Sequence, residues 1–200
     1  MVSKRKTIDP YLLEFITSVE PNNIKSKAVF FDRDGTIIED RGYIKTHGEV
    51  VFFPFTFDAL KKLQSYFLLF IVTNQSGIAK KLTTKADVET VNKYMIEIIR
   101  KNGIHIQELY YCPHNREDNC ECIKPKPYFI KKAVEKYNID ISKSFVVGDH
   151  PHDVEFAENA GAKGIYLLTG HGQKHISEIK PGWSVANDLS QAVDRIIAGD

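Results

Sequence analysis

The strongest constraint on the fold is an alternation of short, unbroken apolar runs with amphipathic stretches. The runs are Ala28-Val29-Phe30-Phe31, Phe67-Leu68-Leu69-Phe70-Ile71-Val72, a weaker Leu109-Tyr110-Tyr111, Phe145-Val146-Val147 and Ile165-Tyr166-Leu167-Leu168. Apolar runs without polar alternation suit strands covered on both faces, as in a parallel sheet. Between them the spacing is helical. Phe57, Leu60 and Leu63 share one face, and Val88, Val91, Met95, Ile98 and Ile99 form a longer stripe. That stripe opens with Thr84 and Asp87 at capping-box spacing and closes at Gly103. Ile130, Ala133, Val134 and Tyr137 predict another helix. Val154, Ala157 and Ala160 predict a short one stopped at Gly161, and Leu189, Ala192, Val193, Ile196 and Ile197 a last one. The pattern predicts an α/β fold: a Rossmann-like three-layer sandwich around a parallel sheet of five or more strands, spanning 26–200. Upstream, residues 1–25 read as an N-terminal extension, with a short helix predicted from Tyr11, Leu12, Phe15, Ile16 and Val19.

Composition narrows the function class. A net charge of +1 gives no broad basic face for nucleic acid, and Lys4-Arg5-Lys6 reads as a solvated tail. Phe67–Val72, the longest apolar stretch, is too short to span a bilayer, and the first residues carry charge without an apolar signal core. The expectation is a cytoplasmic monomer that handles a small molecule, with no nucleic-acid or membrane partner. Three cysteines, at 112, 120 and 122, argue against a disulfide framework by their odd number.

In open α/β sheets, sites form beyond the carboxyl ends of the strands. The first run is followed by Asp32-Arg33-Asp34-Gly35-Thr36, the second by Thr73-Asn74-Gln75-Ser76-Gly77, and the fourth by Gly148-Asp149-His150-Pro151-His152-Asp153. Carboxylates gathered at one rim repel each other unless a cation sits among them. Oxygen ligands suit Mg²⁺, which also takes phosphate oxygens. A lone Asp-x-Asp-Gly is usually a turn with a glycine at positive φ. Here it lies in series with two further polar strand ends. The two-residue spacing lets Asp32 attack a phosphorus atom in line while Asp34 protonates the departing oxygen and later activates water. Thr73 and the amides around Asn74 offer donors to phosphoryl oxygens, and Lys124 is the candidate cation for the transferring group.

All three cysteines fall in one loop. Cys112-Pro113-His114, five intervening residues, and Cys120-Glu121-Cys122 supply the four ligands of a closed structural Zn²⁺ site, which would pin the chain entering Lys124.

Asp32-Arg33-Asp34-Gly35-Thr36, Thr73-Asn74, Lys124 and Gly148-Asp149-x-x-x-Asp153 resemble, in order, the four motifs of the haloacid dehalogenase superfamily over roughly 27–170. The resemblance implies an Mg²⁺-dependent phosphatase with Asp32 as nucleophile, Asp34 as acid/base, and Thr73 and Lys124 on the phosphate. It also implies Mg²⁺ held by Asp32, the Asp34 carbonyl and Asp149, with Asp153 supporting Lys124 or a metal-bound water. Arg41-Gly42-Tyr43-Ile44, Val72–Ala79 and the cysteine-histidine loop are similar to the D-glycero-D-manno-heptose 1,7-bisphosphate phosphatases and the related histidinol-phosphate phosphatases, compact enzymes without a large cap domain. The implied substrate is a sugar (bis)phosphate, with Arg41, Thr73, Asn74 and Lys124 as binding residues. Histidinol phosphate and a polynucleotide 3′-phosphate are alternatives. One departure stands out: these families place an arginine directly before the motif lysine, and this chain has Ile123. Arg33, Arg41, Lys80 and Lys81 are candidate replacements. A phospho-accepting receiver domain also places acids, a threonine and a lysine on a parallel sheet, but its phosphorylated aspartate follows a mid-chain strand. Here the third run leads into Cys112 instead.

Overall fold

A computed structural model describes residues 25–199, so the helix predicted at 11–19 lies outside the described residues. Six strands, β1 (Ala28–Phe31), β2 (Leu68–Asn74), β3 (Ile106–Cys112), β4 (Phe145–Gly148), β5 (Lys163–Leu167) and β6 (Ser184–Ala186), form one sheet in the order β3-β2-β1-β4-β5-β6. Every pairing is parallel. Five helices complete the layers: α1 (Thr56–Gln64), α2 (Lys85–Lys101), α3 (Tyr128–Tyr137), α4 (Pro151–Ala160) and α5 (Leu189–Ala198).

The unbroken apolar runs are explained by burial on both sides. Along β1, Val29 and Phe31 join a core with α1, α2 and α5, whereas Ala28 and Phe30 join a second core with α3 and α4. In β2, Leu69 and Ile71 face the first core, Phe70 and Val72 the second. The helix ends also match their sequence signals. Thr84 and Asp87 form the capping box of α2, and Gly161 closes α4 at φ 80°.

β3, at the sheet edge, has a broken burial pattern, which is why its apolar run looked weak. β6 was not foreseen. It is three residues long, and its Ser184 and Val185 are half-buried at the opposite edge. No large cap interrupts the fold: β1 and β2 are joined by one 3-10 turn and α1. No described helix is long and apolar enough to cross a membrane.

The strand order reverses between β1 and β4, and the crevice beyond their carboxyl ends is where such sheets bind ligands.

Candidate active site

Four strand ends and one loop converge on that crevice. A cavity of about 720 Å³ opens there, with Asp32, Asp34, Thr73, Asn74, Lys124, Asp149 and Asp153 in its lining. Asp32 lies just beyond β1, where its backbone N–H donates to Val147 O at 2.9 Å, tying it to β4. Lys124 is buried, and its Nζ lies 2.6 Å from both Asp32 Oδ1 and Asp153 Oδ1. Burial alone would lower the lysine, but the two carboxylates hold it above its ordinary range. Its backbone N–H donates to Asn74 Oδ1 at 3.1 Å, so the loop carrying Lys124 is pinned to the end of β2.

The Asp34 side chain points elsewhere in the same crevice. It accepts from Arg33 Nε at 3.1 Å and Nη2 at 2.9 Å, and from Gln75 Nε2 at 3.0 Å. Gln75 also donates to Thr73 Oγ1 at 2.9 Å, which fixes the threonine hydroxyl. Arg33 is itself buried and donates through Nη1 to Asn92 Oδ1 on α2 at 2.7 Å. Burial raises the Asp34 pKa, with Arg33 opposing.

Asp149 begins the turn after β4. Its Oδ2 accepts the His171 backbone N–H at 2.6 Å, from the loop after β5. Space beside it exists only because two neighbours lack side chains. A Cβ on Gly35, at φ 78°, would fall 2.1 Å from Asp149 Oδ2, and one on Gly170 would fall 2.2 Å away. Thr169 Oγ1 closes the gap from behind, donating to Gly35 O at 2.6 Å.

Oxygens of Asp32, Asp149 and Asp153 lie within 4.8 Å of one another. Burial, then repulsion from Asp32 and Asp153, pushes Asp149 up to about 8. Burial also pushes Asp32 up to about 6, against the pull of Lys124. Three carboxylates facing one lysine leave uncompensated negative charge in an all-oxygen pocket, and a hard divalent cation fits that donor set.

The cysteine-histidine loop runs from the end of β3 to Lys124. Cys112 Sγ, His114 Nδ1, Cys120 Sγ and Cys122 Sγ all lie within 4.8 Å of one another. Five of the six separations fall between 3.2 and 3.7 Å. Tetrahedral zinc with sulfur at about 2.3 Å and nitrogen at about 2.0 Å gives ligand edges of about 3.5–3.8 Å, so the donor set and its spacing fit zinc.

Arg41 is placed differently from its expected role. It is exposed, its Nη2 is held by Glu39 Oε2 at 2.8 Å, and it is not in the cavity lining. Of the other cations named for the Ile123 position, Arg33 is committed to Asp34 and Asn92, Lys81 is outside the lining, and Lys80 is within it. Gln75, Thr169, Gly170 and His171 were not foreseen as contributors to the crevice, and Arg33 was named only as a replacement phosphate-binding cation. Thr169, Gly170 and His171 lie directly after the fifth apolar run, so the strand-end rule that marks the first, second and fourth runs marks them too. Arg116 of the rim carried no sequence signal, whereas His152 lies in the fourth strand-end motif.

Comparison with known proteins agrees with this geometry. The family model described as "HAD-hyrolase-like" matches residues 121–192. The D-glycero-beta-D-manno-heptose-1,7-bisphosphate 7-phosphatase of Helicobacter pylori strain J99 is 34% identical over 86% of this chain and 97% of its own. A probable D-glycero-D-manno-heptose-1,7-bisphosphate 7-phosphatase of Thermoplasma volcanium is 40% identical over 66% of this chain and 91% of its own. Among solved structures, the D,D-heptose 1,7-bisphosphate phosphatase of B. bronchiseptica, complexed with magnesium and phosphate, superposes with a TM-score of 0.80 at 27% identity, covering 87% of this chain and 99% of that one. The receiver-domain alternative gives way to these relatives, which are phosphatases by name. The shared fold, the ordered strand-end motifs and near-full-length similarity at this level place the chain among the haloacid dehalogenase-like phosphatases, in the D-glycero-D-manno-heptose-1,7-bisphosphate 7-phosphatase family.

Proposed function

We propose that this phosphatase removes the 7-phosphate of a heptose 1,7-bisphosphate through an aspartyl-phosphate on Asp32, with Mg²⁺ in the carboxylate pocket and Zn²⁺ in the cysteine-histidine loop. One observation carries the chemistry: Asp32 and Asp34 share the crevice but differ in their partners. Asp32 lies against the ammonium of Lys124, which favours the ionised carboxylate a nucleophile requires. Burial raises both carboxylates and each faces a cation, so what distinguishes Asp34 is its hold by Arg33 and Gln75 in place of Lys124, which orients it for proton transfer while Asp32 stays beside the ammonium.

In the first step Asp32 attacks phosphorus, and Asp34 protonates the sugar oxygen as it leaves. Lys124, the Thr73 hydroxyl and amides near Asn74 donate to the phosphoryl oxygens. In the second step Asp34 takes a proton from water, which attacks phosphorus and releases Asp32. Asp32, Asp149 and the Asp34 carbonyl would hold Mg²⁺, which when bound offsets charge between carboxylates and phosphate. Asp153 orients Lys124 through its 2.6 Å contact. Residues 112–122 form a zinc-pinned loop that sets the approach of Lys124, within a phosphatase domain of 26–200.

Phosphate release with Mg²⁺ across heptose 1,7-bisphosphate, heptose 1- and 7-phosphates, histidinol phosphate and a 3′-phosphorylated oligonucleotide tests the substrate. Phosphorus NMR identifies the phosphate that leaves. The expected result is highest kcat/KM for the bisphosphate with loss of the 7-phosphate. A tenfold preference for histidinol phosphate or the oligonucleotide overturns it.

A further inference from the structure

The cations at and behind the floor of the cavity are already engaged by carboxylates. Lys124 lies between Asp32 and Asp153, and Arg33 is bonded to Asp34. Two more cations line the cavity, Lys80 and Arg116, and neither is in an ion pair with a described residue. They sit on loops that follow the adjacent strands β2 and β3, whose ends are joined by Gln75 N–H donating to Cys112 O at 2.7 Å. Ile123 adds an apolar, buried surface to the same lining.

Arg116 is exposed, yet it is held in place. Its Nη1 lies 2.8 Å from Nε2 of His152, in the first turn of α4. A guanidinium can only donate, so His152 Nε2 accepts and the neutral ring carries its proton on Nδ1. That proton faces His150 Nδ1 at 2.7 Å, so His150 is the acceptor. The His150 backbone N–H in turn donates to Asp153 Oδ2 at 3.1 Å. A chain of contacts thus runs from Asp153, which touches Lys124, out to the guanidinium at the cavity mouth. One of five N–H donors of Arg116 is used by His152, and a planar fork of this kind matches a phosphate bidentately.

We propose that Arg116, assisted by Lys80, binds a second phosphate on the part of the substrate that is not transferred, and so sets the preference for bisphosphorylated over monophosphorylated sugars. The inference rests on the proposed function: the transferred phosphate must be the one at Asp32. Arg116 is then a binding residue, and His152 and His150 are positioning residues that act through it.

The test compares kcat/KM for a sugar bisphosphate with kcat/KM for the same sugar carrying only the scissile phosphate. The ratio is independent of the fraction of folded enzyme, so a poorly folding variant still reports. Arg116→Ala is expected to lower the ratio by about 10- to 100-fold, the usual loss for a charged hydrogen-bonding group. Arg116→Lys keeps the charge without the fork and falls between wild type and Arg116→Ala. His152→Ala lowers the ratio by a smaller factor and adds nothing in the Arg116→Ala background, because both act through one contact. A wild-type preference for the bisphosphate that survives in Arg116→Ala overturns the inference alone. A wild-type ratio near one overturns both the inference and the bisphosphate substrate.

Discussion

Removing Mg²⁺ should make this protein less stable as pH rises, the opposite of what a salt-bridged carboxylate produces. In the metal-free protein, Asp149 is pushed up from its ordinary 3.8 to about 8 by burial and by Asp32 and Asp153. A raised folded-state pKa means the folded protein binds the proton more tightly than the unfolded chain. Stability from that proton is complete below about pH 4 and is lost as pH climbs toward 8. The slope is that of one proton, about 1.4 kcal/mol per pH unit. The clean window is pH 6.5 to 8. Asp32 is lifted only to about 6, and His150, lowered by burial to about 4, changes stability only below the ordinary histidine value of 6.5. Across that window the loss is about 2 kcal/mol, or about 4–8 °C in Tm for a domain of this size. Saturating Mg²⁺ replaces the proton as the compensating charge, so its stabilisation should grow with pH. The assay is thermal or urea unfolding of zinc-loaded protein in metal-depleted buffer, with and without Mg²⁺, avoiding chelators that strip the cysteine site. A metal-free stability that is flat or rises from pH 6.5 to 8, with a pH-independent Mg²⁺ increment, would refute the placement of Asp149 in an uncompensated acidic pocket.

Three further outcomes rest on the same contacts. Gly35→Ala forces a side chain at φ 78° into Asp149, and should cost about 1–3 kcal/mol in urea unfolding while weakening Mg²⁺ binding measured by calorimetry. Arg33→Met strips the buried Asp34 of its cation and should destabilise the fold by about 3–5 kcal/mol in the same unfolding assay, with loss of phosphate release under native conditions. Purified protein should carry one zinc per chain by elemental analysis. Cys122→Ser should lower that occupancy and raise KM, because the loop it closes leads directly to Lys124.

Much of the fold was legible because double-sided burial leaves a strong mark. Four of the six strands announced themselves as strong unbroken apolar runs, the edge strand β3 as a weaker one, and the other edge strand, β6, as none. β3 shows a half-exposed pattern and β6 has three residues, so neither buries enough surface to dictate its composition. Asp32, Asp34, Thr73 and Asp149 could be named because chemistry at a strand end depends on residue type and order, which are written in one dimension. The cysteine-histidine loop was legible for the same reason. Contacts between distant loops were not. That Arg33 spans to Asn92, that the His171 N–H reaches Asp149, and that Arg116 meets His152 across 36 positions are properties of the assembled rim. Arg41 shows the converse: a plausible cation beside the motif is drawn off by Glu39, two residues away.

The most direct test is chemical trapping of the intermediate on Asp32. Enzyme in slight excess is mixed with heptose bisphosphate and Mg²⁺, quenched in acid within the first turnover, reduced with borohydride and mapped by mass spectrometry. An aspartyl-phosphate reduces to homoserine, so the peptide containing residue 32 should carry that mass change. The signal should fall in Asp34→Asn, where the departing sugar oxygen is no longer protonated, and vanish in Asp32→Asn together with phosphate release. Wild-type turnover by Asp32→Asn, or reduction at another aspartate, would contradict covalent catalysis by Asp32.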